Sequence, residues 1–472
     1  MSGSAGKPGG APEPGSGPNA GSAPSAGSAP SAGSAPKAGL IAQLRRPPGG
    51  RDARIMLTAQ YLDRTGTGAW SATAVLYFTF VVGLDAGRIG LLLGVAGVAG
   101  IAGSPVGGRL AAVFSVRTLL VACHLLRVGT VGLLLALDDF ATLLPVVALT
   151  CAADRAAKTL EMVFATDVAG ERRGTYQALF RTVANAGHAT GAGVAAIGLA
   201  VGTEGAYRVL IVLNAVSFLA AAALVRCTRV RGEARAAAAA AAPAGRDAGR
   251  GARGGNPWRD KGYLRFVLLD VPLTLDDTVL MAGLPLWLVD RTDAPHMLVP
   301  LFLIVNTVLV VLLQLRVSAR FPGPRGAVRA LRRYGVLVAG ACVLLGLSGL
   351  GGAVWASVLL VATAVMVTLA ELMRSVSSWE LAVSLAPEEA RAPYLGVAGM
   401  SQSVQKSAGP PLVTGVVMAA GPVGWVALGG VLAGLSLVQA RGCTRRLAAM
   451  RRKAASVASH RTYEATGQAV RA

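Results

Sequence analysis

Apolar runs, each long enough to cross a hydrocarbon layer of about 30 Å as a helix of roughly 20 residues, constrain what this 472-residue chain can become. Twelve such runs are read, at 56–83, 89–112, 116–137, 142–166, 175–201 and 206–225, and after a gap at 264–289, 297–315, 334–352, 355–381, 391–419 and 421–440. Lipid offers no hydrogen-bond partners, so segments of this kind satisfy their backbone groups internally as helices. The composition agrees, with 53% hydrophobic and 15% charged residues. Soluble domains carry about 25% charged residues, so an all-α membrane protein with twelve transmembrane helices is expected.

The segments outside those runs are of a different character. Residues 1–54 hold AGSAPS from Ala20, its copy from Ala26 and AGSAPK from Ala32, a composition too poor in large apolar groups to offset the entropy of ordering. They predict a disordered tail. Residues 226–262, rich in Ala, Gly and Arg, read as a basic linker, and 441–472 as a basic tail. The formal net charge of +21 does not point to nucleic acid, because the bases lie between and beyond the apolar runs and form no patch on a soluble domain. The loops on the N-terminal side carry Arg109, Arg117, Arg172, Arg173, Arg316, Arg320, Arg325 and Arg329. The alternate loops carry Asp85, Asp138, Asp139, Glu204, Asp290 and Asp293 among their few charges. Positive loops stay inside, so both termini are expected in the cytoplasm of a plasma-membrane protein, with anionic lipid against the basic loops. Cys123, Cys151, Cys227, Cys342 and Cys443 show neither disulfide nor metal-ligand spacing, and no metal site is expected.

An internal repeat divides the chain. At one constant offset Glu171 meets Glu389, Arg173 meets Arg391, Tyr176 meets Tyr394 and Gly191 meets Gly409, and Ala153-Asp154 meets Ala370-Glu371 one residue out of step. Two six-helix bundles follow, 55–225 and 263–440. Over about residues 55–440 the chain resembles the major facilitator superfamily. Gly108 and Leu110 match the G-x-L-x-D-R-x-G-R loop signature of that family, while Ala112, Val113, Ser115 and Val116 depart from it and Arg117 restores a base one place on. Gly187 and Gly191 match the glycines of the antiporter pattern G-x-x-x-G-P, and Ala192 replaces its proline. Arg155 fits the arginine of a fourth-helix exporter pattern, with Thr159 in place of the glycine. The resemblance implies two bundles around a central cavity and small-solute transport by alternating access, with a drug- or metabolite-exporter character.

Charges inside apolar runs are costly and mark function, so they supply the site candidates. On the fourth helix Asp154, Lys158 and Glu161 fall within an arc of about 60°, with Arg155 on its flank, and are expected to pair with one another as an ion-pair latch. On the first helix stands Asp63, a further proton-coupling candidate. On the fifth, Gln177, Arg181, Asn185 and His188 share one face. His188 is a proton-carrier candidate because imidazole titrates near neutral pH. Asp276 and Asp277 on the seventh helix have no base nearby in their own helix, which makes them the leading proton sites. Glu371 on the tenth, also a proton-coupling candidate, stands three residues from Arg374 and can pair with it, and Lys406 on the eleventh needs a carboxylate that Glu371 or an acid of the fourth helix could supply. Lys406, Gln402, Asn306, Arg181 and Asn185 are the candidates for lining a solute cavity, and Tyr77, Phe78, Phe80 and Trp287 for an apolar solute surface.

The leading expectation is proton-coupled efflux of a small organic or amphipathic solute by a monomer, with no cofactor beyond the proton gradient. The alternatives are a proton symporter or uniporter that imports a solute, and a non-transporting sensor or scaffold on the same fold. No P-loop pattern and no paired nucleophile and base appear in the sequence, so neither ATP-driven pumping nor an enzyme is expected.

Overall fold

The computed structural model describes residues 40–228 and 255–469; most of the expected N-terminal tail and of the central linker lies outside the described residues. Among the described residues there is no strand. The inner end of the expected tail is ordered as a short helix, Leu40–Arg45, and the first long helix opens earlier than its apolar run, at Gly50.

The first group of helices is α1 (Gly50–Phe80), α2 (Ala86–Leu110), α3 (Val116–Leu133), α4 (Phe140–Ala169), α5 (Arg173–Val201) and α6 (Glu204–Arg226). Several begin at a polar cap where the apolar run starts. Asp85 accepts from the Arg88 N–H at 2.9 Å, Ser115 from Thr118 at 3.1 Å, Asp139 from Ala141 at 3.1 Å and Thr203 from Ala206 at 3.2 Å. These bonds satisfy first-turn amides that no helical carbonyl reaches. Between α4 and α5 the chain turns through a 3₁₀ turn, Gly170–Arg172, where Gly170 takes φ 51°, a conformation glycine adopts without a side-chain clash.

The second group opens with α7, which is broken. Lys261–Leu273 ends just past Pro272, a short turn Leu275–Thr278 follows, then a π-helical turn Val279–Gly283, and Leu284–Arg291 completes it. Proline has no N–H to donate back along the helix, and the interruption falls where Asp276 and Asp277 stand. The rest are α8 (Leu298–Arg320), α9 (Gly323–Ser348), α10 (Ala353–Leu385), α11 (Arg391–Leu412) and α12 (Gly421–Ala469). Pro410 and Pro411 close α11, and a π turn, Val413–Val417, carries it on.

Among the described residues eight stretches are long and apolar enough to cross a membrane, and one of them, 140–201, contains both α4 and α5. The runs of α1, α7 and α11 carry the breaks and polar residues that keep them outside that set, and they are also the helices that bring charges inward.

Within the first group α1 packs on α5 and α6, α2 on α4, and α3 on α4 and α6. Within the second α9 packs on α10 and α12, α8 on α10, and α7 on α11 and α12. The groups meet where α11 lies against α2 and α4, and where α8 lies against α5. Small residues permit the closest crossings. A Cβ on Gly191 would stand 2.0 Å from the Thr65 carbonyl oxygen, and one on Gly108 would stand 2.6 Å from that of Ala392. Gly187 and Gly191 therefore serve close backbone packing of α5 on α1.

Candidate functional site

A cavity of about 380 Å³ lies between the two groups of helices. Arg64, Arg155, Lys158, Glu161 and Arg181 line it from one side, and Asp277, Glu371, Arg374, Gln402 and Lys406 from the other. Its charges come from α1, α4 and α5 on one side and from α7, α10 and α11 on the other.

On the first side the charges are shared in a network. Asp63, 1% exposed, accepts from the Arg127 Nη1 at 2.6 Å and faces Arg64 at 3.4 Å and His124 at 3.7 Å. Arg127 also donates to Thr67 at 3.2 Å and stacks over the Phe218 ring, 3.7 Å from its centroid. Asp154 accepts from Lys158 at 2.7 Å, with Arg127 at 3.4 Å, Arg64 at 3.7 Å and Arg155 at 3.9 Å. The expected pairing along α4 thus holds for Asp154 with Lys158. It does not hold for Glu161, which meets Arg64 of α1 at 3.6 Å and the Gln60 amide, correctly oriented, at 3.0 Å. The helix is surrounded by basic side chains from α1 and α3, so its acids are drawn outward to neighbours as well as along their own face.

On the second side the expected partners are exchanged. Asp276, 0% exposed, is not unpaired, because the Arg374 Nε donates to it at 2.7 Å across from α10. Arg374 is therefore not the partner of Glu371. Glu371 accepts instead from Arg181 of α5 and from the Asn306 amide at 2.7 Å. Asn306 is buried behind Glu371 and takes no part in the lining. Asp270 accepts from Ser401 at 2.9 Å and Ser378 at 3.0 Å. Asp277 lines the cavity and, among the described residues, makes no hydrogen bond or ion pair. Lys406 is accessible in the cavity and, among the described residues, makes no ion pair with Glu371 or with an acid of the fourth helix.

Gln177, Arg181 and Asn185 line the cavity as their spacing on α5 predicts, whereas His188 is exposed and stands outside the lining. The aromatic surface expected of Tyr77, Phe78, Phe80 and Trp287 does not form. Tyr77 and Phe78 pack with Trp70, the Tyr77 hydroxyl donates to the Leu134 carbonyl at 2.7 Å, and Trp287 packs edge-on to Trp425 with its N–H on Ser348 at 3.1 Å. Phe80 is 71% exposed on the outside. Large rings near a helix end find more apolar contact within the bundle than in a polar cavity.

The ties between the two groups lie at the end bearing the basic loops. Arg173 of α5 holds Glu380 of α10 through two bonds, at 3.0 and 2.7 Å, and also reaches Ser384 at 3.2 Å. Ser318 of α8 donates to the Gly174 carbonyl at 2.8 Å, and Arg181 holds Glu371 deeper in. Among the described residues these are the hydrogen bonds and ion pairs that join the groups. Asp154, Arg155, Lys158 and Glu161, the residues expected to form a latch, make no ion pair to the second group among the described residues, whereas Arg173 with Glu380 and Arg181 with Glu371 do. A second cavity of about 490 Å³, lined by Arg173, Gln314 and Glu380, lies on the loop side and shares Gln177, Ser375 and Trp379 with the central one. The matched repeat positions pointed to Arg173; nothing in the local sequence pairs it with Glu380, which is 207 residues away.

The profile of the family described as Major Facilitator Superfamily matches residues 56–410. A search of curated proteins found no match. Among solved structures the chain is similar to a bacterial homologue of the iron transporter ferroportin in the outward-facing state, with a TM-score of 0.62 at 15% identity over 84% of this chain and 99% of that one. It is similar to the transporter FucP in the outward conformation, with a TM-score of 0.63 at 13% identity, covering 83% and 98% of the two chains. The proton:xylose symporter XylE gives a TM-score of 0.58 at 14% identity, over 82% and 93%. At such identities the likeness is one of fold.

Proposed function

The chain belongs to the major facilitator superfamily, and from that premise we propose that it moves a small solute in step with a proton carried by the carboxylate of Asp277. It is a multi-pass membrane protein and a transporter, not an enzyme, and its fold is that of secondary transport by alternating access. The observation that carries the proton assignment is the contrast between neighbours. Asp276 is locked on Arg374, while Asp277 faces the cavity with no partner among the described residues. A carboxylate reached by water and held by no fixed cation can take up and release a proton during a cycle, and one buried in an ion pair cannot do so without breaking it.

With the basic loops on the cytoplasmic face of the plasma membrane and both termini on that side, the Arg173–Glu380 and Arg181–Glu371 ties close the inner end. Opening inward then requires both to part, and anionic lipid beside the basic loops steadies the helix ends while a single chain performs the cycle. Direction follows from the charge of the solute. A cationic solute competes with the proton for Asp277, and the carrier exchanges the two, which is proton-driven efflux. An anionic solute competes with Asp277 for Lys406, so proton and solute load together, which is symport.

The test is flux in liposomes carrying the full chain, with a pH gradient imposed and a solute panel of differing charge. Flux follows the gradient in the parent protein, and in Asp277→Asn it persists only down the solute's own gradient, at unchanged membrane insertion. Flux that ignores the gradient, or gradient-driven flux that survives Asp277→Asn, removes Asp277 as the proton carrier.

A further inference from the structure

The charges around the cavity do not cancel. Asp63 is matched by Arg127, Asp154 by Lys158, Glu161 by Arg64, Glu371 by Arg181 and Asp276 by Arg374. Arg155, Lys406 and Asp277 remain. The one acid within reach of Arg155 is Asp154 at 3.9 Å, through the same oxygen that takes Lys158 at 2.7 Å. His124, beside Asp63, adds only to the positive side if it charges.

The two surplus cations stand on opposite halves and converge. Arg155 lies on α4 and Lys406 on α11, and both line the central cavity. The Arg155 chain runs over Gly100 of α2, where a Cβ would stand 3.3 Å from its Cγ. About one turn away on the same helix, a Cβ on Gly97 would stand 2.3 Å from the Oγ of Ser407, the residue next to Lys406. Arg155 and Lys406 thus approach the same stretch of α2 from opposite halves of the chain and line one cavity. Like charges facing each other at membrane depth oppose closure of the cavity unless an anion stands between them.

We infer that the cavity binds a small organic anion whose carboxylate or phosphate oxygens bridge Arg155 and Lys406, with the Gln402 amide one turn below as a further donor. The inference rests on the transport reading above and names its substrate class. A cavity of about 380 Å³ is at the low end of the range for small-molecule sites, which suits a metabolite-sized acid. The bridge joins α4 of one half to α11 of the other, so occupancy draws the halves together. It also fixes the direction of coupling. Asp277 lines the same cavity as Lys406 and, when charged, adds a negative charge there that competes with a bound anion; a proton on its carboxylate oxygen removes that competitor and leaves Lys406 to the anion. While the inner end is closed, Asp276 and Glu371, the acids nearby on α7 and α10, are held by Arg374 and Arg181 and do not replace it. Proton and anion therefore bind together and move in the same direction.

The test measures thermal stabilisation of the full chain in detergent by succinate, citrate, benzoate and glycerol 3-phosphate, with glucose and tetraphenylphosphonium as the neutral and cationic probes. At least one anion stabilises, more strongly when the medium is acidified, and the carboxylate and phosphate arms show which group is preferred. Lys406→Gln and Arg155→Gln each weaken that binding about tenfold or more, as expected for loss of a charge-assisted contact, while Lys406→Arg retains it and reports on folding. Stabilisation by the neutral or cationic probe alone, by no probe, or by anions equally in Lys406→Gln overturns the inference. The two readings fail separately. Anion binding with flux indifferent to a pH gradient rejects the proton carrier and keeps the anion site; gradient-driven flux of a neutral or cationic probe through Asp277 does the reverse.

Discussion

In the N-terminal half Asp63, Asp154 and Glu161 are shared among Arg64, Arg127 and Lys158, so that each acid meets at least one base and several meet two or more. In the C-terminal half Asp276 and Arg374 pair off alone, and Asp277 and Lys406 beside them are left open to the cavity. A closed network of buried charge stiffens the helices that carry it, because moving one member strands the others in a poorly solvated place. An open pair of groups is free to take a proton and a ligand. The difference is between a half whose cavity charges are largely satisfied among themselves and a half that leaves two groups open, with Arg155 as the cavity cation that the first half leaves over among the described residues.

The largest expected effect tests the closed network. Arg127→Met breaks the 2.6 Å pair and leaves buried Asp63 with only the longer contacts to Arg64 at 3.4 Å and His124 at 3.7 Å, and breaking a buried pair from one side costs about 3–5 kcal/mol. The melting temperature in detergent should fall steeply, whereas Lys406→Met, which breaks no pair, should stay within about 0.5 kcal/mol of the parent. Equal losses in the two variants would erase the contrast between the halves.

A smaller effect is expected at the ties between them. Arg173 is partly exposed while Glu380 is buried, so a double-mutant cycle on Arg173→Ala and Glu380→Ala should give a coupling of about 0.5–3 kcal/mol in stability, below the loss at the fully buried pair. The larger signal should be in conformation. Each single variant should increase labelling of a cysteine placed at Gln314 from the basic-loop side, and the swap of Arg173→Glu with Glu380→Arg should restore the parent level. Labelling that does not change would place the closing contact elsewhere.

The smallest effect lies outside the membrane. Arg446 grips Asp260 through two bonds of 2.6 Å, with the Tyr394 hydroxyl at 3.1 Å, and holds the Asp260 carboxyl at about 2. A free aspartate titrates near 3.9, so the folded value lies below the unfolded one. The stability this tie gives is therefore fully present above about pH 4 to 5 and is lost as pH falls toward 2. The difference in melting temperature between the parent and Asp260→Asn should be constant from weakly acid to neutral pH and shrink only in strong acid. A difference that grows on acidification contradicts the tie.

The deep charges were legible in the sequence, because a charge inside an apolar run stands out whatever surrounds it. Gln177, Arg181 and Asn185 were legible as one face, since their spacing follows the helical period, and that face lines the cavity. The pairings were mostly hidden. Lys158 and Asp154 pair within one helix and could be read from a spacing of four. Asp276 with Arg374, Glu371 with Arg181 and Glu161 with Arg64 join different helices, and helical period says nothing about which helix lies opposite. Tyr77, Phe78 and Trp287 misled for the same reason: aromatic residues at a helix end can face a cavity or a neighbour, and the neighbours Trp70 and Trp425 decided it. Pro272 showed in the sequence, but that the chain would break beside Asp276 and Asp277 depended on how α7 packs on α11 and α12.

The sequence by itself determined that the chain is helical, that it crosses a membrane, and which polar groups are carried inside. Those properties follow from local hydrophobicity and period, which each segment expresses alone. Only the tertiary structure decided which of those groups cancel and which are left over. Electrostatic satisfaction depends on distances between side chains far apart in the chain, and in this protein it leaves Asp277, Lys406 and Arg155 facing one cavity.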